Sequence, residues 1–194
     1  WREYKLLQDE DRDWILKPIE GTGLGVLRAF DVNKVSRKFS KLPPEAKNII
    51  LDKNIYIESL KTNRLATVHR HAYTDQIEIK VFDEEGNVVG IRRIIGLYTS
   101  VAYISRPYAI PLLRQKVRAV MQDSRLSPSG HAGKALLNIL ETLPRDDLFQ
   151  ASPEELLELS LGILQMQERR RISLFVRRDI FGRFMSCLLF IPSD

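Results

Sequence analysis

The sequence is short of almost everything that marks an exported, membrane-spanning or catalytic chain. It holds one cysteine, Cys187, in 194 residues, so no intrachain disulfide can form. The setting of that residue in MSCLLF reads as a small buried apolar side chain rather than a reactive thiol. No apolar run approaches the roughly 18 residues of a membrane span. The opening WREYKLLQDEDRDW is charged and lacks the apolar stretch of a secretion signal, which fits a reducing, cytoplasmic setting. Trp1 stands where an initiator Met would, and FIPSD follows directly on an apolar run. Both ends are therefore expected to be cut points in a longer polypeptide. There is no low-complexity segment and no clean internal repeat.

Loops that cradle phosphates are lacking too. Gly21, Gly23 and Gly25 depart from the G-x-G-x-x-G spacing and lead into Val26-Leu27, which reads as a strand where a dinucleotide site needs a helix N-terminus. A glycine-rich turn is the expectation. Gly133-Lys134 has no glycine five residues upstream and is not a P-loop. No Ser, Cys or Lys sits beside a base in a recognisable arrangement. His131 opens a helix and reads as structural, and Glu84 and Glu85 are loop carboxylates. No catalytic, cofactor-binding or metal residue is assigned.

What is present is an ordinary globular composition, 44% hydrophobic and 28% charged, in a chain long enough for one large domain or two small ones. The net charge of +5 gathers in Arg169, Arg170, Arg171, Arg177, Arg178 and Arg183. Interleaved Phe175, Phe181 and Phe184 invite a nucleic-acid reading. A solvated strand edge that discourages aggregation accounts for the same residues, and the charge is not sustained along the chain. No nucleic-acid partner and no membrane are expected.

The pattern predicts an α+β chain. Asp13 to Arg28 reads as strand, turn, strand, and Asp31 to Asn54 as a mixed connection with a short helix over Pro44–Leu51, where Pro44 suits a first turn. Asn54–Leu60 and Leu65–His69 read as strands. Gln76–Phe82 alternates with Ile77, Ile79 and Val81 on one face, and Val88–Tyr98 is rich in Val and Ile. The acidic Asp83–Asn87 between them reads as a hairpin connection. Three helices follow. Pro111–Gln122 has Leu113, Val117, Val120 and Met121 on one face. His131–Leu143 ends at Pro144, and a third helix starts at Ser152-Pro153-Glu154-Glu155, a capping box with proline in the first turn. Arg171–Val176 and Arg183–Ile191 read as two strands joined near Asp179–Gly182. Their residues Leu174, Val176, Leu188 and Phe190 form an apolar face. That face is expected to pack on the helices of 111–167 or to bring two copies together edge to edge.

One polar cluster stands out. On a strand, His69 and His71 project to the same face. Two imidazoles are an incomplete metal site, and Arg70 between them adds an unfavourable charge. With Arg64 and Thr67 they form a candidate anion or effector site, since guanidinium groups bind carboxylates bidentately. An ordinary polar strand face is the alternative.

ATVHR at 66–70, KVFDEEGNVVG at 80–90 and GLYTSVAY at 96–103 closely resemble the large NAD-specific glutamate dehydrogenases of bacteria. The resemblance extends upstream to GTGLGVLR at 21–28. Downstream it takes in IPLLRQKV, GHAGKALLNILETLPRDDLFQ and RRISLFVRRDIFGRFMSCLLFIP, in the same order and with short spacings. The resemblance implies a segment of the N-terminal, non-catalytic half of such an enzyme, in which ACT-like domains alternate with helical segments. It implies an ACT-like β-rich domain over 1–104, a helical segment over 105–170, and over 171–194 the opening hairpin of a further ACT-like domain. It also implies that NAD belongs to the parent enzyme, with no cofactor in this segment. The expected partners are the remaining domains of the parent, further copies in a homo-oligomer, and an amino-acid effector. Nothing matches the family's catalytic lysine region or nucleotide-binding domain, so no catalytic role carries over to a residue here. A stand-alone amino-acid-sensing module and a basic nucleic-acid-binding protein are the competing readings.

Overall fold

The computed structural model describes residues 1–28, 38–169 and 172–191. Residues 29–37 (which include the start of the mixed connection expected from Asp31), Arg170 and Arg171 of the basic run, and residues 192–194 lie outside the described residues. The chain is α+β and divides into two compact units. One comprises Trp1–Leu97 with Asp179–Arg183, the other Tyr98–Arg178 with Phe184–Asp194.

The first unit is built on strands β1 (Arg2–Gln8), β2 (Trp14–Pro18), β3 (Ile57–Leu65), β4 (Tyr73–Phe82) and β5 (Val88–Gly96). They form one antiparallel sheet in the order β2-β1-β5-β4-β3. The β4–β5 hairpin forms as the alternation predicts. Its connection is fastened by the Asp83 carboxylate, which accepts the backbone N–H groups of Glu85 (3.1 Å) and Asn87 (2.7 Å). Helix α1 (Pro44–Leu51) occupies the expected span and buries Ala46 and Ile50. The core gathers Tyr4, Leu6, Leu16, Phe39, Ile50 and Ile91, with Phe181 packed against it.

Three expectations for this unit are corrected, and one strand is unforeseen. Strand β1 was not anticipated, although its Arg2, Tyr4 and Leu6 alternate inward. Val26-Leu27 is not a strand. Gly25 turns the chain with φ 58°, and Gly25–Leu27 is a single 3-10 turn closed by Leu27 N–H to Leu24 O and Arg28 N–H to Gly25 O. The strand placed at Asn54–Leu60 begins at Ile57 and runs on to Leu65. Leu65–His69 is therefore not a separate strand: Leu65 ends β3, and the chain then turns back into β4.

The second unit carries α2 (Ser100–Ile104), α3 (Pro111–Asp123), α4 (His131–Thr142), α5 (Arg145–Gln150) and α6 (Pro153–Arg169). Helices α3, α4 and α6 are the three predicted. The short α2 and α5 were not, because one or two turns carry too little periodicity to register. Leu113, Val117, Val120 and Met121 are the buried residues of α3, as expected. They meet Leu136, Ile139 and Leu140 of α4, Leu148 and Phe149 of α5, and Leu156 and Ile163 of α6. The capping box forms in full. Ser152 donates its N–H to Glu155 Oε2 (2.8 Å), and Glu155 donates its N–H to Ser152 Oγ (3.2 Å).

Strands β6 (Ser173–Arg178) and β7 (Met185–Phe190) pair as a two-stranded sheet. The expected packing on the helices occurs through Leu188 and Phe190, but Leu174 and Val176 do not share their face. Leu174 lies opposite Leu189 and Val176 opposite Cys187, whereas Phe175 lies opposite Leu188 and Ser173 opposite Phe190. Phe175, Leu188 and Phe190 pack on the helical core, while Leu174 and Val176 are exposed. Phe175 rests on α6 at Gly162, where an added Cβ would come within 2.7 Å of the ring. The large ring meets the helix at the one residue with no side chain to obstruct it.

Candidate functional site

The candidate anion cluster sits where β3 gives way to β4. Arg64 lies near the end of β3; Thr67, His69, Arg70 and His71 belong to the connection. A register shift between Lys61 and Leu65 ends regular pairing. Beyond it Thr62 Oγ1 and Thr74 Oγ1 meet at 2.6 Å, and Ala66 donates its N–H to Ala72 O at 2.8 Å. Within the loop, Arg70 N–H reaches Val68 O and Ala72 N–H reaches Arg70 O, and His69 takes a left-handed φ of 65°. Left-handed backbone and consecutive three-residue turns are incompatible with a strand. The same-face projection expected of His69 and His71 is thereby replaced by a tight basic loop. All five side chains are exposed, and no acidic residue occurs between Asn63 and Ala72. The charges of Arg64 and Arg70 thus lie on an exposed surface. Among the described residues no group of three or more His, Cys, Asp or Glu is placed to hold a metal ion.

Sequence reasoning missed a second polar arrangement, inside the sheet. On β4 the polar residues are the more deeply buried ones: Glu78 and Lys80 are 6% and 8% exposed, while Ile77, Ile79 and Val81 are only half-buried. The isoleucine face is therefore not the core face. The opposite face carries Tyr4, Leu6, Leu16 and Ile91 into the core, so whatever shares that face is buried with them. Glu78 and Arg93 match each other's charge there. Arg93 Nη2 lies 2.6 Å from Glu78 Oε1, and its guanidinium stacks 4.6 Å from the centre of the Tyr4 ring. Gln76 donates its Nε2 to the same Glu78 oxygen at 2.8 Å. Burial works against the Arg93 charge, yet the Glu78 carboxylate beside it holds its pKa above the ordinary value.

Lys80 donates Nζ to Ile49 O and Asp52 O, each at 2.5 Å, at the end of α1. Carbonyls left over at a helix C-terminus are where a cation is favoured. Burial lowers the Lys80 pKa, only partly offset by Asp52, Glu58 and Glu78. The cavity beside Glu58, Glu78, Lys80 and Phe181 is about 10 Å³, room for one water at most. These groups stabilise a sheet and a helix end and have no space for a substrate.

The remaining candidates also resolve into structure. Lys116 Nζ donates to Phe149 O and Ala151 O, each at 2.7 Å, and Arg145 binds Glu141 O, Leu143 O and Ser105 O. Gly133 is needed by packing, since a Cβ there would lie 2.0 Å from Ser127 O. His131 is exposed at the first position of α4. Two arginines of the basic strand region turn toward acids: Arg177 Nη2 lies 3.1 Å from Asp147 Oδ1, and Arg183 grips Asp179 with Nε and Nη2 at 2.8 and 2.9 Å. That leaves the basic run less charge to offer a phosphate backbone. Cys187, expected to be buried, is exposed, because it shares the outward hairpin face with Val176. A groove of about 190 Å³ lies along Asn138, Thr142, Pro144, Ile163, Leu188 and Phe190. No helix is long and apolar enough to cross a membrane among the described residues.

Comparison with known proteins puts these elements in context. Residues 110–169, which hold α3 to α6, match a family model described as glutamate dehydrogenase, helical motif 1. Over 192 residues the chain is 41% identical to an NAD-specific glutamate dehydrogenase of Halomonas elongata, covering 99% of this chain and 12% of that protein. It is 41% identical over 140 residues to the protein of the same name in Pseudomonas aeruginosa, covering 72% of this chain and 9% of that one. The counterpart in Mycobacterium tuberculosis is 32% identical over 123 residues, covering 63% of this chain and 7% of that one. The chain thus spans 12% or less of the length of these relatives.

Proposed function

We propose that this chain, which belongs to the NAD-specific glutamate dehydrogenase family, is a regulatory and assembly segment of such an enzyme and carries no turnover of its own. The parent reaction would convert L-glutamate, NAD and water to 2-oxoglutarate, ammonium and NADH, with NAD bound outside this segment. The parent would act in the cytoplasm as a homo-oligomer, with its remaining domains as this segment's partners. One observation carries the reading: identity runs through 192 residues of this chain yet engages 12% of the Halomonas elongata relative. The polar geometry supports a non-catalytic role. Lys80, Lys116 and Arg145 are committed to backbone carbonyls, and Arg93, Arg177 and Arg183 to carboxylates.

Within this reading residues 1–104 are an ACT-like domain, the hairpin over 171–194 opens a further one, and the basic loop is where an amino-acid effector's carboxylate is held. Arg64 and Arg70 supply charge-assisted hydrogen bonds, with Thr67, His69 and His71 beside them. A thermal-shift screen of the purified chain against amino acids and 2-oxoglutarate tests the effector. A ligand that binds the folded state raises the midpoint, and Arg70→Ala should lower its affinity about tenfold or more, on the scale of one charge-assisted bond. A ligand whose affinity survives Arg70→Ala places the effector elsewhere.

A further inference from the structure

The first unit is discontinuous. It takes Trp1–Leu97 and then, from far along the chain, Asp179–Arg183, whereas the residues on either side of that stretch belong to the second, helical unit. Asp179–Arg183 lies in the turn between β6 and β7, and it is a preformed knob. Gly182 takes a left-handed φ of 66° and donates its N–H to Asp179 O at 2.7 Å. The Asp179 carboxylate accepts the N–H groups of Phe181 (3.2 Å) and Arg183 (3.3 Å) as well as the Arg183 side chain. The Arg183 guanidinium in turn stacks 4.9 Å from the centre of the Phe181 ring. A turn fixed in this way presents an aromatic side chain with little conformational freedom left to lose.

The ring closes over charge. Phe181 packs against the sheet core. With Ile180 it bounds the cavity of about 10 Å³ whose other walls include Ile50, Leu60 and Ile91 and the charged Glu58, Glu78 and Lys80. Glu78 is paired with Arg93, and Lys80 with the carbonyls of Ile49 and Asp52. Interactions of this kind are strong where water is kept out and weaken once it enters. The seated ring keeps the Glu78 pair and the Lys80 clamp dry; a withdrawn ring admits water to both. The knob is carried by strands committed elsewhere. Ser173–Arg178 pairs residue for residue with Met185–Phe190, and Phe175, Leu188 and Phe190 of that ribbon pack on the helical core.

We propose that the Asp179–Arg183 turn is a coupling device, through which the helical unit stabilises the first unit and a change in either is passed to the other. The coupling is a property of this chain and needs neither an effector nor the rest of a parent enzyme.

The chain carries its own reporters. Its two tryptophans, Trp1 and Trp14, are both in the first unit, and of the described α-helices only α1 is there. Tryptophan fluorescence therefore follows the first unit, and far-ultraviolet circular dichroism mainly the helical one. In urea the two signals should change together in the unaltered chain, as one cooperative transition. Leu156→Ala, in α6, should lower both midpoints. In Phe181→Ser the fluorescence midpoint should fall below the dichroism midpoint and no longer respond to Leu156→Ala. Phe181→Leu, which keeps an apolar contact, should be intermediate in both respects. If Phe181→Ser leaves the first unit unfolded without urea, Phe181→Leu carries the comparison. A fluorescence midpoint that ignores Leu156→Ala while Phe181 is intact would overturn the proposal. So would one that follows Leu156→Ala by the same shift whichever residue stands at position 181.

Discussion

The helical unit and the sheet unit bury different things. In the helices, Leu113, Val117, Leu136, Leu140, Leu148 and Leu156 are fully buried, and the cations Lys116 and Arg145 reach backbone carbonyls beside that core. In the sheet, Arg2, Asp75, Glu78 and Lys80 are buried alongside Tyr4, Leu6 and Ile91. The first core follows directly from the hydrophobic effect and tolerates no lost volume. The second depends on charges being matched, so its weak points are its ion pairs. The lesson is that a common α+β description covers two stabilisation strategies, and that a buried charge need not mark an active site.

The sharpest way to test the contrast is to damage each core in its own currency. Leu156→Ala in the helical unit should cost about 2–5 kcal/mol through lost transfer energy and a cavity, read as a lowered denaturation midpoint. Leu157 and Leu164, only half-buried against the same core, should cost less. Glu78→Ala in the sheet unit removes no large apolar volume, yet should cost about 3 kcal/mol because it strands the Arg93 guanidinium. Replacing Glu78 and Arg93 together by leucine should return most of that loss. If Glu78→Ala alone is neutral, the sheet core does not rest on matched charge.

Smaller effects sharpen the comparison at the edges of each unit. Ser152→Ala removes half of the capping box of α6 and should cost about 1 kcal/mol in thermal or chemical denaturation. In the sheet unit the matching device is Asp83. The Asn87 backbone N–H, then the Asn87 side chain, hold the Asp83 pKa below its ordinary 3.8. A depressed folded-state pKa means that the stabilisation is fully present above pH 3.8, the unfolded value, and fades as pH falls through the lower folded one. The stability gap between the unaltered chain and Asp83→Ala should therefore be constant near neutrality and shrink only below pH 3.8. A gap that closes between pH 5 and 7 would assign it to another group.

Legibility followed the same divide. Helices α3, α4 and α6 could be read because each has one apolar stripe over three or more turns, a clear start and a clear stop. Helices α2 and α5 are too short to show a period. In the sheet unit, alternation located β4 and β5 but chose the wrong face. Ile77, Ile79 and Val81 look like core, and nothing local shows that Glu78 will find Arg93 fifteen residues away on β5. The hairpin misled for a related reason. Both of its faces are apolar, so the pattern could not say which one meets the helices, and Cys187 went with the wrong face. For the candidate anion site, the residue types were legible and the geometry was not. A β-branched, apolar-flanked run such as ATVHR reads as strand, while the turn at His69 depends on the pairing of Thr62 with Thr74 and of Ala66 with Ala72.

The non-catalytic reading is tested most directly by following NADH formation from L-glutamate and NAD, with the purified chain and the native protein that carries it assayed side by side at equal molar concentration. The account predicts turnover by the native protein and none by the chain, whether or not effectors are added. Glutamate-dependent NADH formation by the chain alone would contradict it.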